Sequence, residues 1–312
     1  MPEDWLSVVL RFALHLDLMI LFGVPLFSIY ALGPADRASA RTSVVSRRNS
    51  RLAQASAVAG VVLSLWDIVA MAESMTGATT YTTLTGHVFN MILTGTAVGT
   101  AWMVRMVALA TCLAMAVAWR RRADRKRIGL AAVGAIALAT LAWSGHGAMD
   151  DGLRGTFHLV IDIAHLLAAG MWVGALVAFV LLSSARCADT AGAVQTLSRA
   201  ASGFATIGTG IVGVLIATGV ANYAFVVGPT LDTFATPYGW LLLGKLMLFA
   251  GMLVLAAGNR YRLSPRLAAA IRMGDYASAV RALRNSLRAE ACVAVVILAL
   301  VAWLGVLSPL PS

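Results

Sequence analysis

Charge is scarce in this chain. Of its 312 residues only 12% are Asp, Glu, Lys or Arg, while 60% are hydrophobic. Soluble domains carry about twice that share of charge, so composition excludes them and points to a polytopic membrane protein. Cysteine is nearly absent as well. Cys112, Cys187 and Cys292 are far apart and form no CxxC, which excludes a disulfide framework and a thiolate metal knuckle and leaves small core thiols. There is no P-loop, so export driven by ATP has no support, and no HExxH, so a zinc hydrolase has none either. Strand-type alternation is missing, which excludes a β-barrel. No internal repeat and no soluble domain stand out. The opening residues MPEDWLS lack a basic n-region and a small-residue cleavage site, and read as the start of a retained first helix.

What is present is apolar runs long enough to cross a bilayer, each needing about 20 residues. Eight stand out: Leu6 to Leu32, Leu52 to Ala72, Gly99 to Trp119, Ile128 to Met149, Gly155 to Leu182, Ala201 to Val227, Tyr238 to Asn259 and Arg288 to Leu307. The expected fold is all-α, a bundle of eight transmembrane helices forming one integral membrane domain over residues 1–312. Of 24 Lys and Arg, 20 fall in residues 33–51, 120–127, 183–200 and 260–288. The positive-inside rule turns these loops to the cytoplasm and both termini to the periplasm. Topology accounts for the net charge of +10, so the expected partner surface is membrane lipid and not nucleic acid. Residues 264–287 read as a basic amphipathic helix on the cytoplasmic surface, and about 86–98 as an outer re-entrant or interfacial segment. The many small residues of GFATIGTGIVGVLIATG, in the sixth span, read as a close helix-packing face.

Polar groups inside a membrane are costly and usually face the bundle interior or a watery site. At 1.5 Å per residue, nearly all of them fall in the outer half: Arg11, His15 and Asp17 in the first span, Asp67 in the second, Arg105 in the third, His146 at the end of the fourth. The fifth carries His158, Asp162 and His165, the sixth ends in Asn222 and Tyr223, and Lys245 lies two turns into the seventh. Only Glu290 lies toward the inner side. The spacing of His158, Asp162 and His165 is i, i+4, i+7, which is one helical face. Imidazole with carboxylate suits Cu(II), zinc and other borderline metals, and thioether suits Cu(I). The candidate metal ligands are therefore His146, His158, Asp162, His165 and His15. Asp162 is read either as a ligand or as the acceptor that fixes a histidine tautomer. Asp67, Arg105, Asn222, Lys245 and Met149 are candidate supporting or pathway residues. The bland alternative is that these charges pair only to lock helices together.

The same residues carry a resemblance. SGHG at 144–147, DIAHLLAAGMWVG at 162–174, TGVANY at 218–223, PYGWLLLGKLMLFAGMLVLAAGNR at 237–260 and NSLRAE at 285–290 are similar to the CopD/PcoD family of bacterial copper-resistance inner-membrane proteins. The family pattern of Asp, two residues, His, then Trp and Gly is matched by Asp162, His165, Trp172 and Gly174, and GTAWMVR, ending at Arg105, fits as well. The resemblance implies a multi-pass protein of the bacterial inner membrane that takes up or transfers copper, served by a periplasmic CopC-like copper protein. It implies no enzymatic activity.

Two rivals stand beside that reading. Facing histidines on separate helices also suit a haem b cytochrome, with His158 or His165 paired to His146 or His15; b-type haem needs no CxxCH. An assembly subunit whose buried charges are purely structural is the other.

Overall fold

Why the chain folds as it does follows from hydropathy. In the computed structural model, which describes residues 5–37, 44–76, 85–118, 123–145, 152–184, 191–228 and 236–307, eight helices are long and apolar enough to cross a membrane. In chain order the elements are α1 (Trp5–Tyr30), α2 (Val44–Thr76), the short α3 (Gly86–Gly95), α4 (Ala97–Ala118) and α5 (Ala123–Ala139). A 3₁₀ turn, Thr140–Ser144, prolongs α5. Then come α6 (Gly152–Leu182), α7 (Ala191–Val226), α8 (Pro237–Gly258), a π-helical turn (Asn259–Leu263), α9 (Ser264–Met273) and α10 (Ala277–Leu304). Among the described residues there is no strand. The segment expected to sit at the outer face is α3, ten residues long and packed on α4.

The amphipathic stretch 264–287 is divided. Gly274, at φ +79°, caps α9 in the left-handed region, which only glycine enters without strain. The remainder, from Ala277, is the first part of α10. Its Val280, Leu283 and Leu287 join Leu267 of α9 and Val194 and Leu197 of α7 in one buried cluster, so protein contacts hold this face.

Helix α1 is the hub, packing against α2, α5, α6 and α10. Its closest approach is to α6. A Cβ on Gly174 would lie 2.3 Å from the Cα of Gly23, and one on Gly23 would lie 2.2 Å from the carbonyl oxygen of Gly170. Gly170 and Gly174 thus form a small-xxx-small face that admits the other backbone. The glycine-rich sixth span contributes less than its composition suggests, because Gly210 and Gly213 of α7 have no neighbour within 4 Å of the Cβ position.

The helices alternate in direction between two ends. At one end Arg11 of α1 donates to the carbonyl oxygens of Ser144 (2.5 Å) and Gly305 (2.7 Å), tying the ends of α5 and α10 to the start of α1. At the other end, where the basic loops gather, Asp36 accepts from Arg199 Nε (3.0 Å), from its Nη2 and from Thr196 Oγ1 (3.0 Å). The Arg199 bonds hold the Asp36 carboxyl below its ordinary pKa by favouring its charged form. Lys126 closes the same end by donating to Ala116 O at 2.7 Å.

Candidate functional site

At the end held by Arg11, a cavity of about 220 Å³ opens among α1, α6, α7, α8 and α10. His15, Asp162, His165, Asn222 and Lys245 line it together with Arg11 and Gly145. Most of the polar residues singled out in the sequence therefore share one space, because α6 and α7 run antiparallel and present them as rungs. Asn222 Nδ2 donates to Asp162 Oδ1 at 2.6 Å, and one turn deeper His165 Nδ1 is 2.8 Å from Thr218 Oγ1.

The second rung fixes a tautomer. Thr218 Oγ1 gives its own hydrogen to the carbonyl of Val214 at 2.6 Å, as hydroxyls on helices commonly do. Toward His165 it is then an acceptor, so Nδ1 carries the proton and Nε2 keeps its lone pair. His15 reaches the same state by another route. Its Nδ1 lies 2.7 Å from the carbonyl oxygen of Arg11, one turn back on α1, and a carbonyl can only accept. Both imidazoles are thus left with Nε2 as the unprotonated nitrogen; oxygen partners of this kind also orient histidines that bind metals. Gly219 packs beside His165, where a Cβ would make an ordinary contact with Cε1 at 3.8 Å. Lys245 is within electrostatic reach of both Asp162 and His165.

His158 takes a different place. It is buried and stacked on Phe225 of α7, with ring centroids 4.8 Å apart and planes 13° apart. It does not line the cavity, so the shared i, i+4, i+7 face delivers Asp162 and His165 to this space but not His158. Arg154 lies over the same Phe225 ring, 5.6 Å from its centroid. Arg105 is almost wholly buried and pairs with Asp67 at 3.3 Å. Trp102, one turn earlier, donates to Ser64 O at 2.7 Å. Arg105 acts electrostatically on His15, and Asp67 on Arg11, so this pair sits behind the α1 side of the cavity. His146 and Met149 lie outside the described residues, although Gly145, next to His146, is close to Asp162 Oδ2, at 3.6 Å from the Cβ position. Among the described residues no three His, Cys, Asp or Glu side chains converge as a metal-binding group. The donors on the cavity wall are two imidazoles and one carboxylate, a set that suits borderline divalent metals in general.

Two residues at this site are absent from the candidates drawn from the sequence. Thr218 escaped because a threonine in an apolar helix reads as packing; its signal was the i, i+4 spacing with Asn222, matched across the antiparallel α6 by Asp162 and His165. Arg11 stands in the sequence among the outer-half polar groups, with helix-locking as the alternative, and its bonds to the two carbonyls, which join helix ends, come from tertiary structure alone.

Residues 1–156 match the family described as copper resistance protein D-like, N-terminal domain, and residues 198–304 match copper resistance protein D. The chain is 45% identical over 309 residues to copper resistance protein D of Pseudomonas syringae pv. tomato, covering 98% of each. It is 29% identical over 267 residues to the inner membrane protein YebZ of Escherichia coli K12, covering 83% of this chain and 85% of that one. Over 122 residues it is 36% identical to the copper transport protein CutJ of Bacillus subtilis, covering 38% of this chain and 21% of that one. No solved structure matches.

Proposed function

The chain belongs to the copper resistance protein D family, and from that premise we propose that it takes copper from the periplasmic face and carries it inward through the α6–α7–α8–α10 seam. It is a multi-pass inner-membrane protein with a role in copper resistance and transport. The observation that carries the finer reading is the pair His15 and His165, each with Nδ1 committed to an oxygen and Nε2 left for an ion, on the wall of one cavity that also holds Asp162. The basic loops at the opposite end favour a periplasmic opening for this cavity. A CopC-like periplasmic protein is the proposed donor. Lys245 balances the Asp162 carboxylate when no ion is bound, and copper displaces that balance when it enters.

The test is copper binding by the purified protein, loaded separately with Cu(I) and Cu(II). Wild type is expected to hold copper through this cavity, and His165→Ala and His15→Ala each to weaken binding at least tenfold, on the scale of changes at metal-orienting shells. Unchanged affinity in both variants sinks the reading. The visible spectrum of the same sample decides against haem b if it lacks a Soret band. The relatives' names speak of copper and give haem no support.

A further inference from the structure

A second cavity, about 210 Å³, lies further along the same seam toward the basic end. It is walled mostly by apolar side chains, with Trp172 of α6 and Phe204 of α7 among them, and its polar lining comes from Thr209, Asn259, Arg260, Tyr261, Ser264 and Glu290. Glu290 of α10, 3% exposed, faces it. Asn259, 8% exposed, donates from Nδ2 to Glu290 Oε2 at 2.8 Å, while its own Oδ1 is buried without a hydrogen-bond partner. The indole N–H of Trp172 is near the same carboxylate but outside hydrogen-bond geometry. Asn259 opens the π-helical turn that interrupts the α8–α9 helix, and such interruptions recur at functional sites. Apart from Glu290, the charged or titratable groups on the described lining are Arg260 and Tyr261. The Arg260 guanidinium is engaged elsewhere. It donates to Ala205 O at 2.7 Å and to Thr209 Oγ1, and lies over the Tyr261 ring. No imidazole or thioether lines this cavity, so it is poorly made for copper.

We propose that Glu290 and Asn259 form a proton-loading site opening toward the basic end. The carboxylate takes a proton from hydronium, forming an O–H bond and releasing water. Asn259 serves both forms through the two ends of its amide. Nδ2–H donates to the ionised carboxylate, as observed, and after a flip of the amide Oδ1 accepts the new carboxyl O–H. An orphaned acceptor beside a buried acid is what a two-state partner requires, since a buried polar atom without a bond is otherwise a net cost. One unit of negative charge in an apolar wall is balanced by one proton. The link between this proton and copper movement rests on the function proposed above; the proton site itself does not.

Infrared spectroscopy of the full chain in lipid tests it. A protonated-carboxyl carbonyl band is expected to grow as pH falls and to shift on [13C]glutamate labelling, and one component of it, absent from Glu290→Gln, is expected to be that of Glu290. The chain has only three glutamates, Glu3, Glu73 and Glu290, so the label narrows the assignment without any substitution. In Asn259→Ala the pH midpoint is expected to move, because the acceptor for the O–H is gone. A labelled band that is the same in wild type and Glu290→Gln at every pH at which the protein stays folded, so that nothing in it belongs to Glu290, overturns the proposal, and an unmoved midpoint of the Glu290 component in Asn259→Ala overturns the part given to the amide. Loss of the copper reading in His165→Ala and His15→Ala leaves this band in place, so the two ideas fail separately.

Discussion

Two cavities of nearly equal size lie along one seam, and they are built from opposite materials. The one at the Arg11 end is crowded with charge: Arg11, Asp162 and Lys245 around two oriented imidazoles, with the Arg105–Asp67 pair behind. The one toward the basic end has a single buried carboxylate in an apolar wall, served by a neutral amide. Between them stand Ala168, Trp172, Ile211, Leu215, Met252 and Ala294, a closed apolar cluster. On the two proposals above, this bundle separates two tasks by donor chemistry: nitrogen held for a metal at one station, oxygen held for a proton at the other. An ion passing between them needs the cluster around Trp172 to move, and the thioethers of Met171 and Met252 are the soft groups packed there.

The sharpest test of the contrast is structural. The first cavity leans on a charged scaffold, so Asp67→Asn strands the buried Arg105 guanidinium. Removing one partner of a buried pair costs about 3–5 kcal/mol, and a large fall in thermal stability in detergent is expected. A stability equal to wild type would mean that the scaffold is solvated and the contrast between the cavities is weaker than the burial of Arg105 implies.

Next in size is Thr218→Val. It keeps the volume but removes the oxygen that holds His165 Nδ1–H, and so frees the ring and its tautomer. Copper affinity is expected to fall about tenfold, the lower end for outer-shell partners, with folding unchanged. Equal affinity would show that the orientation of His165 is set by packing alone.

These tests bear on how much the sequence told. All eight spans were legible, because a run of apolar residues has no other stable solution in this composition. That His15, Asp162, His165, Asn222 and Lys245 lie at a shared depth was legible too, since depth needs only the rise per residue. Which face each presents to the bundle was not. His158 sits on the same stripe as Asp162, yet the ring of Phe225, which no helical period announces, takes it out of the cavity wall. Glu290 was visible as the inner acid, but its partner Asn259 was not. Asn259 is set against Glu290 at the start of a π-helical turn, and hydropathy carries no mark of one. The close packing expected of α7 fell instead to Gly23, Gly170 and Gly174, because composition counts small residues without saying which of them meet a backbone.

A smaller effect is expected at the basic end. The Asp36 carboxyl, held below its ordinary pKa by Arg199, contributes stability that is present above the unfolded value of about 3.9 and is lost as pH falls through the folded value. Acid should therefore loosen the α1–α7 link below about pH 4, and Asp36→Asn should remove that part of the acid sensitivity. With Arg199 half exposed, the cost at neutral pH is about 1 kcal/mol. A melting curve whose acid limb is the same in Asp36→Asn would show that the latch does not bear on stability.

The smallest change is expected from Glu290→Gln, and its smallness is the point. The substitution is the same loss of one carboxylate that Asp67→Asn makes, and both acids lie within the span region. Asp67 has a guanidinium that depends on it; Glu290 has an amide that does not. Glutamine keeps an oxygen for Asn259 Nδ2–H and removes a buried charge without a cationic partner of its own, so stability should stay within about 1 kcal/mol of wild type or rise. If Glu290→Gln destabilises the protein as much as Asp67→Asn does, the carboxylate is part of a structural ion pair and the second cavity is no separate station. If stability holds while the Glu290 component of the infrared carboxyl band disappears, the acid is kept for the charge it can exchange, since the fold does not need it.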